Sequence, residues 1–219
     1  MKRFALLLLP LLFASHTAEA QQTDFKKRLY VGASYGATFS SVSFAPYKVQ
    51  QTMLQGNTVG ATVRWITEKY LGLQAELNYT QAGWKEEFDD PKYAYSRTLN
   101  YIEMPFMTHI YFNEGTFAGF VNLGPKLGYF LSESEADGLH GDKPNKTNEQ
   151  HDMPTEMRLD WGITGGLGME VRTSVGCFLL EGRYYYALGN IYKARKEDFF
   201  SKSSSQIISA KLTYLFSIF

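Results

Sequence analysis

The sequence predicts an all-β fold, an eight-stranded antiparallel up-and-down transmembrane β-barrel. Three observations favour it. Hydrophobicity alternates with a period of two along eight segments, short and long connections alternate between these segments, and aromatic residues make up 16% of the chain. Aromatic residues and period-two alternation are typical of strands. Beyond the N-terminal region no apolar run is long enough for a membrane-spanning helix, so a membrane-spanning structure has to be a closed barrel.

The N-terminus has the pattern of a secretory signal peptide. Lys2 and Arg3 precede an apolar run over residues 4–13, and small residues occupy both ends of Ala18-Glu19-Ala20. This pattern predicts cleavage before Gln21. The alternative, an N-terminal membrane anchor, is disfavoured because the run is too short to span a bilayer. We therefore expect a signal peptide over residues 1–20 and one barrel domain over residues 21–219.

The eight predicted strands each place apolar residues on one face and small or polar residues on the other. In the second segment, for example, Val59, Ala61 and Val63 alternate with Gly60, Thr62 and Arg64. Hydrophobicity that alternates with a period of two is typical of a strand whose two faces have different surroundings. The segments cover residues 29–40, 58–65, 71–80, 101–110, 122–129, 158–170, 178–189 and 208–218.

The connections alternate in length without exception. The short ones lie at residues 67–69, 113–115 and 173–174, and the long ones at 41–56, 81–96, 133–156 and 190–205. A membrane meander with short periplasmic turns and long extracellular loops has this alternation. We therefore expect the long connections to face the outside of the cell.

Charged residues on the polar strand faces separate a membrane barrel from a soluble one. A soluble lipocalin-like binder, which is the alternative, has an apolar interior. Here the polar faces carry charges of both signs, which can pair inside a lumen when the apolar faces point to lipid. Eight strands leave a lumen that side chains fill, so no open pore is expected. The expected lumen charges are Arg64, Glu76, Glu103, Lys126, Arg158, Asp160, Glu170, Glu181 and Arg183.

Aromatic residues cluster at the ends of the predicted strands. Two belts are expected where aromatic rings meet the two membrane interfaces. The expected periplasmic belt is Trp65, Tyr70, Tyr111, Phe112, Phe117, Phe178, Phe216 and Phe219, and the expected outer belt is Phe39, Tyr79, Trp84, Tyr129, Trp161 and Tyr186.

Several motifs occur together in a fixed order. They are Asn100-Tyr101-Ile102-Glu103-Met104-Pro105, the run Leu123-Gly124-Pro125-Lys126-Leu127-Gly128-Tyr129, the glycine pattern of residues 162–168, and Glu181-Gly182-Arg183-Tyr184 followed by Ala187-Leu188-Gly189-Asn190. With these motifs the whole mature chain resembles the PorT-like outer-membrane β-barrel proteins common in Bacteroidetes. Met104 and Ala187 depart from the residues usual in that family.

The resemblance implies an outer-membrane barrel domain and no reaction. One type of PorT-like protein assists a protein secretion system, so an accessory role in secretion is one expectation. The function expected here is non-enzymatic: a structural protein, or one that binds envelope or secretion proteins through its long extracellular loops. The alternative is an outer-membrane hydrolase or acyltransferase with a site at the extracellular rim. We expect the lipid bilayer as surroundings and a monomer. A formal net charge of zero gives no reason to expect nucleic acid.

No catalytic residue, cofactor site or metal site is predicted, although several residues were weighed as candidates. His140 and His151, with Asp142, Glu149 and Asp152, match no ligand spacing and are expected in a solvated loop. The acidic residues Glu133, Glu135 and Asp137 are expected in a solvated loop too. His109, beside Glu103 on a polar face, is expected to be a hydrogen-bonded lumen residue. In Tyr184-Tyr185-Tyr186 the alternation sends only Tyr185 to the lumen, and Cys177 is expected to be a buried strand thiol.

Overall fold

The computed structural model describes residues 25–113, 115–194 and 198–218. The expected signal peptide and the C-terminal Phe219 lie outside the described residues. The strands are β1 (Arg28–Ala45), β2 (Gln51–Thr52), β3 (Leu54–Glu68), β4 (Leu71–Glu86), β5 (Tyr95–Phe112), β6 (Phe117–Asp137), β7 (Leu159–Thr173), β8 (Gly176–Ala187) and β9 (Lys202–Ser217).

Eight of these strands form a closed antiparallel ring, as the sequence predicts. Each pairs with its neighbours along the chain, and the ring closes where β1 pairs with β9. The short strand β2 pairs only with the end of β4 and lies outside the ring. A single 3-10 turn, Glu149–His151, interrupts the longest connection. No helix in the described part of the chain is long and apolar enough to cross a membrane.

The alternation of short and long connections is confirmed, but the strands extend further into the long connections than expected. Pairing continues to Ala45↔Lys202, Lys85↔Ser96 and Tyr95↔Asp137. Parts of the segments predicted to be extracellular loops are therefore strands, and they extend the barrel wall beyond the apolar, membrane-facing surface. The three short turns all lie at the opposite end, which is the periplasmic end in barrels of this kind.

The two faces of the wall agree with the predicted alternation. Leu73 and Ile163 are each 53% exposed on the outside, whereas their neighbours Gln74 and Thr164 are 3% and 1% exposed on the inside. The outer face is apolar and suits lipid, and the inner face is polar.

Most of the expected aromatic belt lies on the outer surface, with two exceptions. Tyr111 and Trp84 are 1% and 0% exposed, because both side chains point into the barrel. The residues of the predicted belts that are exposed outside are Trp65, Tyr70, Phe112, Phe117 and Phe178 with Phe216 at the periplasmic end, and Phe39, Tyr79, Tyr129 and Trp161 towards the outer end.

Candidate functional site: a filled lumen beneath a folded outer cap

The middle of the lumen is a dense network centred on the carboxylate of Glu76. Arg183 donates two hydrogen bonds to it, at 2.9 and 2.8 Å, and Lys211 donates one at 2.7 Å. Arg183 also donates to Glu181, at 2.8 Å. All four side chains are buried. Buried ions need such partners because removing a charge from water is costly.

A second network lies towards the periplasmic end. Arg64 donates to Glu170 at 2.5 Å and to Gln74 at 2.8 Å, and Arg172 donates to the other oxygen of Glu170 at 2.6 Å. Gln74 in turn donates to Glu76 at 2.6 Å, so the two networks are continuous.

The outer part of the lumen contains a third charged group. Lys126 forms an ion pair with Glu103 and lies 3.3 Å from the centroid of the Tyr185 ring. The Tyr185 hydroxyl donates to Asp160 at 2.8 Å. A cavity of about 30 Å³ remains between this group and the middle network, which is the scale of a single water molecule.

These contacts confirm most of the predicted lumen network and correct one member. Arg158 is exposed and donates to the hydroxyl of the outward-facing Tyr129, because it precedes the first residue of β7 and lies above the lumen. The sequence reasoning omitted Lys211 from the network, although its position in the alternation of β9 already placed it on the polar face.

An apolar cap closes the outer mouth of the barrel. Trp84 is fully buried, with the ring of Phe44 5.4 Å away, and the ring of Phe200 lies 4.9 Å from that of Phe44. All four long connections contribute side chains to this cluster. They are Val49 from the first, Phe88 from the second, Leu139 and Met153 from the third, and Ile191, Tyr192 and Phe200 from the fourth.

Two charged side chains of the wall hold the longest connection inside the mouth. Arg97 donates to the carbonyls of Met153, at 2.5 Å, and His151, at 3.2 Å, and it pairs with Glu135. Glu86 accepts a hydrogen bond from Gln150 at 2.8 Å and lies 2.9 Å from Nε2 of His151. The segment around the 3-10 turn is therefore part of the folded core of the outer end.

Tyr192 joins the fourth long connection to the same group. Its hydroxyl accepts a hydrogen bond from Arg97 at 2.9 Å and donates to the carbonyl of Gln150 at 3.2 Å. Burial raises the pKa of Tyr192 to about 12, although the neighbouring Arg97 guanidinium acts in the opposite direction. The residue is therefore a neutral hydrogen-bonding group at physiological pH.

The expectation of solvated loops was wrong about the burial of His151 and about the conformation of the acidic residues, which lie on a strand although they are largely exposed. The side chain of His151 is only 12% exposed, and its acidic partner Glu86 comes from a different strand, which spacing along the chain cannot reveal. Glu133 and Glu135 lie on β6, where Glu133 accepts a hydrogen bond from Thr155 at 2.7 Å. The exposed residues His140, Asp142, Glu149 and Asp152 fit the expectation better.

The remaining candidates lie where the alternation predicted. His109 is buried in the lumen, with its Nδ1 2.8 Å from Asn122, although this partner is not the expected neighbour Glu103. Tyr185 points inwards, Tyr184 is 45% exposed outside, and Cys177 is buried.

At the outer rim, His151 and Glu86 bring an imidazole and a carboxylate into contact at 2.9 Å. The imidazole is surrounded by this carboxylate, the Gln150 amide and the ring of Tyr95, whose centroid is 4.1 Å away. The described residues contain no group of three or more His, Cys, Asp or Glu side chains placed to hold a metal ion.

A closed eight-stranded wall with an apolar outside and a charged inside defines a membrane barrel, and the sequence comparison gives its family. The model of the outer membrane protein beta-barrel domain matches residues 5–193. The chain belongs to this family. It is an outer-membrane protein, which agrees with the predicted location; membership of the PorT-like group stays a prediction.

Several solved outer-membrane barrels are similar to this barrel protein at low sequence identity. OprG from Pseudomonas aeruginosa is 11% identical with a TM-score of 0.51, covering 86% of this chain and 95% of OprG. The Neisserial surface protein A is 14% identical with a TM-score of 0.46, covering 87% and 99%. Ail of Yersinia pestis is 14% identical with a TM-score of 0.43, covering 85% and 98%. Among curated proteins, none matches the sequence significantly.

Proposed function

We propose that this barrel is a non-enzymatic outer-membrane protein that binds a partner from the envelope or a secretion apparatus through its extracellular surface. The observation that carries the proposal is the cap: side chains from all four long connections pack together around Trp84. Long loops without a role need no common core, whereas a folded outer surface presents its residues in one arrangement. The resemblance to PorT-like proteins suggests secretion as the setting.

The geometry of the rim gives less support to the hydrolase or acyltransferase alternative. Acyl transfer by a nucleophile needs a hydroxyl or thiol within hydrogen-bond reach of its base. His151 instead contacts a carboxylate, an amide and a tyrosine ring. The buried pairing with Glu86 supports a role for His151 in holding the cap together.

Cross-linking in intact cells tests the proposal. A photo-reactive residue at the exposed position of Lys92 or Lys146 should give a discrete adduct of defined mass, and the same residue at the lipid-facing position of Leu123 should not. The adduct formed from position 92 should be lost when residues 139–150 are replaced by a short Gly-Ser linker. Absence of any outer-surface adduct, together with lipid hydrolysis by the purified barrel that His151→Ala abolishes, would favour the enzyme instead.

A further inference from the structure

The barrel wall has a gap above the membrane between β6 and β7. Strand β6 pairs with β5 as far as Asp137, but its pairing with β7 ends at Tyr129↔Leu159. Among the described residues, the last backbone hydrogen bond on this edge runs from the amide of Phe130 to the carbonyl of Arg158, at 2.8 Å. Residues 131–137 of β6 therefore form a strand edge that has no backbone partner on the β7 side among the described residues.

Two other edges that rise above the membrane are covered. The short strand β2 pairs with Lys85 and Glu86 of β4. On β9, the amide of Ile191 donates to the carbonyl of Ser203, and Asn190 accepts from the Ser203 amide. Uncovered edges are sites where another extended chain adds to the sheet, and proteins usually protect them. On the β7 side of residues 131–137, no such backbone pairing is present in the described part of the chain.

The hydrogen-bonding groups that face the gap belong to Glu133, Glu135 and Asp137. The amide of Gly138 donates to Ala94 on the β5 side, at 2.8 Å. Backbone groups alternate sides along an antiparallel strand, so the three acidic residues present theirs to the opposite side. Every residue of this stretch except the partly buried Glu133 is exposed.

The charge of this edge indicates what occupies it. Residues 130–137, Phe-Leu-Ser-Glu-Ser-Glu-Ala-Asp, contain three carboxylates and no lysine or arginine. Glu135 already forms an ion pair with Arg97, whereas the carboxylates of Glu133 and Asp137 accept hydrogen bonds from Thr155 and from the amide of Leu139 and pair with no cation among the described residues. Pairing of two copies through this edge would oppose like charges, which destabilises strand pairs.

We infer that the free β6 edge, residues 131–137, binds an extended basic segment of a partner protein by strand addition. This inference rests on the proposed function and specifies its surface and the chemistry of its partner. Backbone hydrogen bonds to Glu133 and Glu135 supply the pairing, and lysine or arginine side chains of the partner meet the carboxylates.

The test uses the full-length barrel in lipid nanodiscs and a synthetic eight-residue peptide of alternating Lys and Thr. Two matched peptides are the controls: one with Glu in place of Lys, and one with N-methylated backbone amides. We expect the Lys peptide to bind with an affinity that falls as salt increases, and both control peptides to bind at least about ten-fold more weakly. Binding should slow hydrogen exchange at the amides of Glu133 and Glu135 in the unmodified protein.

A pair of substitutions separates backbone pairing from charge. Glu133→Pro removes an amide that faces the gap and leaves the bonds to β5, so it should weaken binding at least about ten-fold. Glu133→Gln keeps the amide and should weaken binding less. Failure of the Lys peptide to bind, equal binding of the N-methylated peptide, or unchanged exchange at Glu133 and Glu135 overturns the inference. Loop-dependent cross-links in cells would then still uphold the broader proposed function.

Discussion

At the scale of single residues, the position of a side chain along the barrel axis determines how much an introduced charge destabilises the fold. Leu73 and Ile163 are half exposed on the outer face of the membrane-spanning part of their strands, where lipid surrounds them. The inward neighbours Gln74 and Thr164 are fully enclosed, and Gln74 already bonds to Arg64. An inward arginine is therefore also costly here, and the better control is an outward position above the membrane.

We predict that Leu77→Arg, on the same outer face but further from the periplasmic turn than Leu73, lowers the free energy of unfolding in lipid vesicles by about 2–4 kcal/mol, as arginine does at the midplane of a barrel. Ser134→Arg, on the exposed outer part of β6, should change it by less than about 0.5 kcal/mol. Urea unfolding of both variants in the same vesicles gives the comparison. Equal costs at the two positions would contradict the placement of the membrane.

Glu76 makes the clearest case for pairing inside the lumen, because Arg183 and Lys211 both depend on it. Glu76→Gln leaves two buried cations short of an anion and should destabilise the barrel by about 3–5 kcal/mol.

The second substitution, Lys211→Met, should recover part of that loss in the double variant because it removes the excess positive charge. A double-mutant cycle from unfolding in vesicles measures the coupling between the two residues. Additive effects of the two substitutions would mean that the 2.7 Å contact carries no net interaction energy.

At the scale of strands, the period of two continues above the membrane while the polarity of the faces inverts. In β1, Gly36, Thr38 and Ser40 point inwards within the membrane zone, and the next inward residues are Val42 and Phe44. In β5, the inward residues change from Glu103 to Tyr101, Leu99 and Tyr95, and Arg97 is the one charged exception among them. Outward positions change from apolar to polar at the same level, as in Thr98 and Asn100.

This inversion explains which parts of the fold the sequence could predict. The eight membrane crossings and the direction of their side chains followed from the alternation, because contact with lipid requires an apolar outer face on every strand. The upper extensions were expected to be loops because their outward residues are polar. Two ion pairs of the outer end join residues that are far apart in the sequence, Arg97 with Glu135 and Glu86 with His151. Only the three-dimensional structure reveals such pairs.

Arg97 connects the wall to the longest connection, so we predict that Arg97→Ala releases residues 139–158. The carbonyls of His151 and Met153 lose their donor, and an unpaired buried acceptor is costly. Proteolysis within this segment should become faster, and Trp84 fluorescence should shift to the red. Heat-modifiable migration on a gel should not change, because the ring of strands does not depend on the cap.

The control for Arg97→Ala is Lys92→Ala, which removes an exposed ion pair with Asp90 at 3.4 Å. Exposed pairs contribute little, so neither proteolysis nor fluorescence should change. A similar response of the two variants would show that the segment is loose in the unmodified protein.

At the scale of the whole molecule, the barrel consists of two zones with opposite interiors. The membrane zone has a charged, hydrogen-bonded interior and an apolar surface. The outer zone has an aromatic interior and a surface with small polar residues, which is the arrangement of a water-soluble protein. The cap needs no lipid for its own packing, and this explains how a protein anchored in the membrane presents a folded surface to the outside.

The two zones also block the lumen independently, and this leads to a prediction about conductance. Beneath the cap, the networks around Glu103, Glu76 and Glu170 fill the interior and leave a cavity of only about 30 Å³. The purified barrel should show no stable conductance in planar bilayers. Replacement of residues 139–152 by a short linker should not create one, because the charged networks remain beneath the cap and eight strands leave no room for a water-filled channel. A steady conductance that arises only when this segment is removed would show that the cap alone closes the barrel and that the charged side chains leave a continuous path through the membrane.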